Sequence, residues 1–139
     1  MDLRLPWEGA LRAAGFAPRE RTAWLVEGLL PYLREDDVRR LFERISALSP
    51  AGSTLALDVA GPGAFTSPQL APQLALMKAR GIEMHYTCAD PVGLLDGFGW
   101  TAAELTFGEL ARRYGRPAEG RATEEMLQAH CVAASRRPG

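Results

Sequence analysis

Two apolar runs joined by an amphipathic helical stripe restrict this chain more than anything else in it. The first run, Thr22-Ala23-Trp24-Leu25-Val26, has no clear period, as expected of a strand buried on both faces of a parallel sheet. Val38, Leu41, Phe42, Ile45 and Leu48 then recur at helical spacing and form one apolar stripe. Glu35-Asp36-Asp37 precede it, where the helix dipole favours acids, and Arg39 and Glu43 are spaced for an i,i+4 pair on the wet side. Ser49-Pro50-Ala51-Gly52 stops the helix. From Ser53 to Ala60 the chain alternates, Leu55, Leu57 and Val59 on one face against Ala56, Asp58 and Ala60 on the other. Strand, helix, strand predicts a βαβ unit with parallel strands and a right-handed crossover, and so an α/β fold.

The flanks are read in the same way. Leu5-Pro6-Trp7 opens a helix whose stripe is Trp7, Ala10, Leu11 and Ala14, with Gly15 and Pro18 as stops. Gly61-Pro62-Gly63 breaks the chain. It contains Gly-x-Gly, but position 66 is Thr and no Gly-Lys-Ser/Thr follows, so a turn is read there rather than a phosphate loop. Ser67-Pro68 looks like a helix cap and first turn, Pro72 disturbs the register, and Gly81 ends that helix. His85 to Ala89 fits no single pattern. Asp90-Pro91 starts a short helix ending near Gly97 or Gly99, and Trp100 to Leu105 suits a strand. Phe107, Leu110, Ala111 and Tyr114 make a further helical stripe. Glu119 to Thr123 reads as a polar loop, and Cys131 to Ser135 as a last strand before a basic tail.

Glu27 is the candidate site residue that these patterns single out. It stands where the first strand stops, and Gly28 follows at once. In open α/β sheets, ligands bind in the crevice beyond the carboxyl ends of the strands. Glu27 is therefore either a site residue or a strand-end acid turned to water, with Gly28 serving the turn.

Composition narrows the function. With 16 basic and 17 acidic side chains, the net charge of −1 carries no footprint for nucleic acid or an anionic membrane surface. Cys88 and Cys131 lack zinc spacing, and His85 and His130 stand apart in sequence, so no metal site is expected. Both cysteines are expected to be reduced thiols, in keeping with a cytoplasmic location. No apolar run approaches the roughly 20 residues that span a bilayer.

Several strings together resemble one family. They are Asp2-Leu3-Arg4, Trp7, Ala10-Leu11-Arg12-Ala13-Ala14-Gly15-Phe16, and above all Thr22-Ala23-Trp24-Leu25-Val26-Glu27-Gly28-Leu29-Leu30-Pro31-Tyr32-Leu33. Phe98-Gly99-Trp100 and Tyr114-Gly115-Arg116-Pro117 agree with it. The chain resembles the leucine carboxyl methyltransferase-like family of S-adenosylmethionine-dependent O-methyltransferases, which includes polyketide-type and actinobacterial members. The resemblance implies the carboxyl-terminal half of a class I, Rossmann-like sheet, parallel with an antiparallel terminal pair. Residues 1–139 would then be a single partial domain that lacks the Gly-rich S-adenosylmethionine loop. It further implies that Asp2 accepts from the adenine amino group, that the Leu3 backbone N–H meets a ring nitrogen, and that Glu27 lies near the methionine end or the acceptor. The partner implied is a small-molecule methyl acceptor with a carboxyl or hydroxyl group. A second reading is a non-catalytic remnant or partner subunit that completes a methyltransferase sheet. In either case Thr22–Val26 is expected to be an edge strand open to self-association or to a partner chain, and Glu27 to lie within reach of Asp2's loop.

Overall fold

Pro6 has no N–H to lose at a helix start, and α1 (Glu8–Ala13) follows it directly. The structure is a computed structural model that describes residues 2, 3, 5–66, 68, 70–116 and 129–139. Of the first helical stripe, Trp7 is buried and Leu11 half-buried, whereas Ala10 and Ala14 are exposed. One turn of short side chains is too little to seat the whole face.

The βαβ unit forms as its pattern requires. β1 (Ala23–Val26) and β2 (Thr54–Val59) pair in parallel, with Trp24 opposite Leu55 and Val26 opposite Leu57. Between them, a 3-10 turn over Leu30–Tyr32 leads into α2 (Glu35–Ala47). Its stripe is buried to the last residue: Val38, Leu41, Phe42, Ile45 and Leu48 all join the core. Arg39 pairs back to Glu35 at 3.3 Å rather than forward to Glu43. Both spacings are geometrically open on a helix, and the structure takes the acid of the first turn.

The rest of the chain closes the sheet. α3 (Ala71–Ala79) carries Pro72 in its first turn, where proline is tolerated, and buries none of its residues. Ser67, expected as its cap, lies outside the described residues, as does the loop expected over Glu119 to Thr123. His85 to Ala89 adopts no regular element. The Asp90 side chain accepts from the Gly93 N–H at 2.7 Å and caps α4 (Pro91–Gly97). β3 (Trp100–Thr106) leads into α5 (Phe107–Arg113), and β4 (His130–Arg136) ends the fold. The described residues form one four-stranded sheet in the order β1-β2-β4-β3. β4 is antiparallel to both neighbours, so the terminal β3–β4 pair is antiparallel, as the resemblance implied. β1 stands at the edge.

The core lies on one side of this sheet. Leu55, Leu57, Val59, Val132, Ala134 and Trp100 point toward α2 and α4, and their cluster includes Trp7, Leu30 and Leu95. Two indoles are hydrogen-bonded to serines of the α2 region: Trp100 Nε1 donates to Ser46 Oγ at 2.8 Å, and Trp24 Nε1 donates to Ser49 Oγ at 2.8 Å. The Arg136 guanidinium lies over the Trp100 ring and donates to the carbonyls of Phe98 and Gly99. Gly99 has φ of +80°, and a Cβ there would strike the same guanidinium. The tight turn before β3 therefore needs glycine on two counts. Among the described residues the opposite face of the sheet has no such cover. Leu25 is 70% exposed, so the expectation that this strand is buried on both faces holds on one face alone. The alternation that hides Val26 against α2 turns Leu25 outward, where the described residues supply no layer.

Candidate functional site

Small side chains shape the uncovered face. Ala56, Ala103 and Ala133 come from three adjacent strands, and their shortness leaves a floor below the level of the walls. Leu25 stands at one side, and Phe107 and Leu110 of α5 at the other. The hollow between them measures about 660 Å³. That is the size, and the largely apolar lining, of a small-molecule pocket.

Its polar residues gather at one end. Glu27 follows the last residue of β1, is exposed, and lines the hollow. Asp58 near the end of β2 and Cys131 near the start of β4 line it as well, and they sit opposite each other in the strand ladder. The Gly28 N–H donates to Asp58 Oδ1 at 2.6 Å. Gly28 has φ of +60°, in the region that favours glycine. Burial pushes the Cys131 thiol above its ordinary value, and the carboxylates of Asp58 and then Glu27 push it further. Cys131 is thus held as a neutral thiol, the opposite of an activated nucleophile.

A third acid, Glu104, also lines the hollow. Glu104 Oε2 is 3.2 Å from His130 Nδ1. The buried Nδ1 nevertheless finds no hydrogen-bond partner among the described residues. The contact is an ion-pair distance rather than a formed hydrogen bond.

Asp2 and Leu3 lie elsewhere. Leu3 packs on the core, and its carbonyl accepts from Arg44 Nη1 at 3.3 Å. The same nitrogen donates to the Leu5 carbonyl at 2.6 Å, while Arg44 Nε pairs with Glu8 at 3.1 Å. The Asp2 carbonyl accepts from the Leu5 N–H at 3.1 Å. Arg44 thereby ties the first residues to α2, on the covered side of the sheet. Of the three residues singled out in the sequence, Glu27 lines the hollow and Asp2 and Leu3 do not.

Asp58 and Cys131 were not picked out as site residues from sequence. For Asp58 a signal existed, an acid on the outer face of an otherwise apolar strand. For Cys131 there was none, since its neighbours come from strands far away in the chain. Two further hollows of about 280 and 210 Å³ flank α3 and share Phe65, Leu74, Met77 and Met84; neither includes Glu27. Cys88 and Cys131 are both free thiols. Among the described residues no three His, Cys, Asp or Glu side chains are grouped to hold a metal, and no helix is long and apolar enough to cross a membrane.

The sequence model of the leucine carboxyl methyltransferase family matches residues 1–46. A Frankia alni protein named as an inferred S-adenosyl-L-methionine-dependent methyltransferase is 43% identical over 117 residues, covering 84% of this chain and 40% of its own length. A Streptomyces avermitilis protein with the same kind of name is 39% identical over 137 residues, covering 99% of this chain and 48% of its own. The chain thus spans less than half the length of these relatives. Among solved structures, a DUF574 family protein from Streptomyces avermitilis superimposes with a TM-score of 0.68 at 14% identity, over 98% of this chain and 53% of that one. An O-methyltransferase family protein from Burkholderia thailandensis gives a TM-score of 0.51 at 14% identity, over 88% of this chain and 32% of that one. At such identities these structures speak to the fold, a part of a Rossmann-like sheet.

Proposed function

We propose that this chain, which belongs to the leucine carboxyl methyltransferase-like family, contributes the carboxyl-terminal half of an S-adenosylmethionine-dependent O-methyltransferase. The observation that carries the reading is the position of Glu27. It is an acid at the carboxyl end of a parallel strand, at the edge of an apolar hollow of about 660 Å³. Ligands of open α/β sheets bind at that end.

The donor set suits part of the cofactor. A sulfonium and an ammonium are cations, and Glu27 and Asp58 are carboxylates on one rim of the hollow. When bound, S-adenosylmethionine supplies an electrophilic methyl group. Glu27 would orient an acceptor hydroxyl or carboxyl, or face the positive charge, so that placement provides much of the rate. Asp2 and the Leu3 backbone, which do not line the hollow, are our candidates for the adenine on the resemblance alone. The Gly-rich loop that would cradle the methionine end is not in this sequence, so the isolated chain should bind the cofactor weakly or not at all. For the acceptor we propose a small carboxylic acid or phenol of the polyketide kind, and for the location the cytoplasm, in line with two unbridged thiols.

A second reading has its own support. Among the described residues β1 is an edge strand and the face beside it is uncovered. This favours a non-catalytic partner subunit that completes a sheet begun by another chain.

The test is methyl transfer from labelled S-adenosylmethionine to a panel of carboxylic acids and phenols. It uses the chain alone and the chain co-expressed with the amino-terminal half of the Frankia alni relative. Transfer in the combined sample, lost on Glu27→Ala, is expected. Cofactor binding and a stable complex without transfer to any acceptor would favour the subunit reading. Micromolar cofactor affinity in the isolated chain would overturn our view that the missing loop is needed.

A further inference from the structure

We propose that Asp58 is a positioning residue for Glu27, acting through the backbone of Gly28. The proposal rests on the reading of Glu27 as the acid that faces the ligand.

Asp58 is placed by the sheet. It lies in β2 one residue past Leu57, which pairs with Val26, and it sits opposite Cys131 in the ladder with β4. Its carboxylate accepts from the Gly28 N–H at 2.6 Å, a short bond assisted by charge. Gly28 needs that anchor. Gly28 is exposed and takes φ of +60°, a conformation that glycine can adopt but is not confined to. A glycine beyond a strand end otherwise samples many backbone states. Glu27 therefore lies between two fixed points, the last ladder pair of β1 on one side and the Asp58 bond on the other. Its backbone is aimed from both ends, and its carboxylate stands at the rim of the hollow with Cys131 nearby. The bond engages Asp58 Oδ1 with the turn, and the Glu27 carboxylate at the rim is the one this turn aims.

The experiment needs no cofactor, so its result is independent of whether the chain takes part in methyl transfer. Hydrogen exchange of the Gly28 amide is measured first. Gly28 is exposed, so slow exchange there reports the Asp58 bond; exchange at the free-peptide rate in the unsubstituted chain overturns the proposal. Next, iodoacetamide alkylation of Cys131 is followed by peptide mapping at one pH, which separates it from Cys88. The groups facing this thiol are Glu27 and Asp58, with Glu104 and His130 on the neighbouring strand positions. Glu27→Gln should speed alkylation roughly two- to threefold by removing a nearby charge. The same substitution should do so in an Asp58→Asn background, where an acceptor oxygen remains. In an Asp58→Ala background it should have no effect, because Glu27 is no longer aimed. An equal effect of Glu27→Gln in all three backgrounds overturns the proposal. Should Asp58→Ala not fold, Asp58→Ser, with its shorter reach, takes its place, and the Gly28 exchange measurement stands regardless.

Discussion

Glu27 and Ser46 show how differently single residues are committed in this molecule. Glu27 is exposed at a strand end, so Glu27→Ala should change stability by no more than about 0.5 kcal/mol, as for most surface substitutions. In a complemented enzyme the same change should abolish most methyl transfer. Urea denaturation and the transfer assay, run on the same preparations, check both halves of that statement. Ser46 is the reverse case. It is buried on α2 and accepts from the indole of Trp100, which is fully buried. Removing its hydroxyl strands a donor in the core. Ser46→Ala should cost about 1–3 kcal/mol, the penalty for a buried group left unsatisfied. A urea midpoint unchanged from that of the parent would show that the indole finds another acceptor.

Among the elements, α5 is the one whose stability should follow pH. It is short, none of its residues is fully buried, and its start depends on a capping box between Thr106 and Glu109. The Thr106 backbone N–H and then its hydroxyl hold the Glu109 carboxyl below the ordinary carboxylate value. A depressed value in the folded state means that the carboxylate form is favoured by folding. The stabilisation is present above the unfolded-state value and is lost as pH falls through the lower folded one. Protection of the α5 amides against hydrogen exchange should therefore decline before that of α2 as pH falls through and below the ordinary carboxylate range. Thr106→Ala should abolish the difference between neutral and acidic samples. α2 carries no such dependence in its packing, because Val38, Leu41, Phe42 and Ile45 seat it in the core.

At the scale of the whole molecule, the sheet face and edge that the described residues leave uncovered dominate. β1 is short and apolar, carries neither Lys nor Pro, and is paired on one side. Strands of that kind template association. Leu25 and Phe107, 70% and 52% exposed, add apolar surface beside it. The isolated chain should self-associate at micromolar concentrations, and Leu25→Lys should shift it toward monomer in size-exclusion chromatography. A parent chain that stays monomeric throughout the concentration series would show that the edge is protected. The same face explains why the fold was largely legible in sequence and the site was not. The α2 stripe, the β2 alternation and the Gly99 stop depend on residues a few positions apart. Those patterns carry their own geometry, because helix and strand periods are local properties of the backbone. The resemblance carried by Trp24 to Leu33 likewise pointed to Glu27, which does line the hollow.

Other features depend on which strands become neighbours. No local pattern joins Gly28 to Asp58, 30 residues away, or brings Cys131 beside both acids. The strand order β1-β2-β4-β3 makes those contacts, because β4 enters between β2 and β3 against the order of the chain. The same holds for Leu25. A run without period reads as buried on both faces, but burial on the second face requires a layer that the described residues do not form. Arg44 shows it again at the start of the chain. Its spacing gives no hint that it would hold the carbonyls of Leu3 and Leu5 and draw Asp2 and Leu3 to the covered side. Local sequence determines periods, stops and caps because the backbone has few low-energy states. Partners across the sheet are chosen by the packing of the whole chain, and in this protein the pairing of Gly28 with Asp58 was decided there.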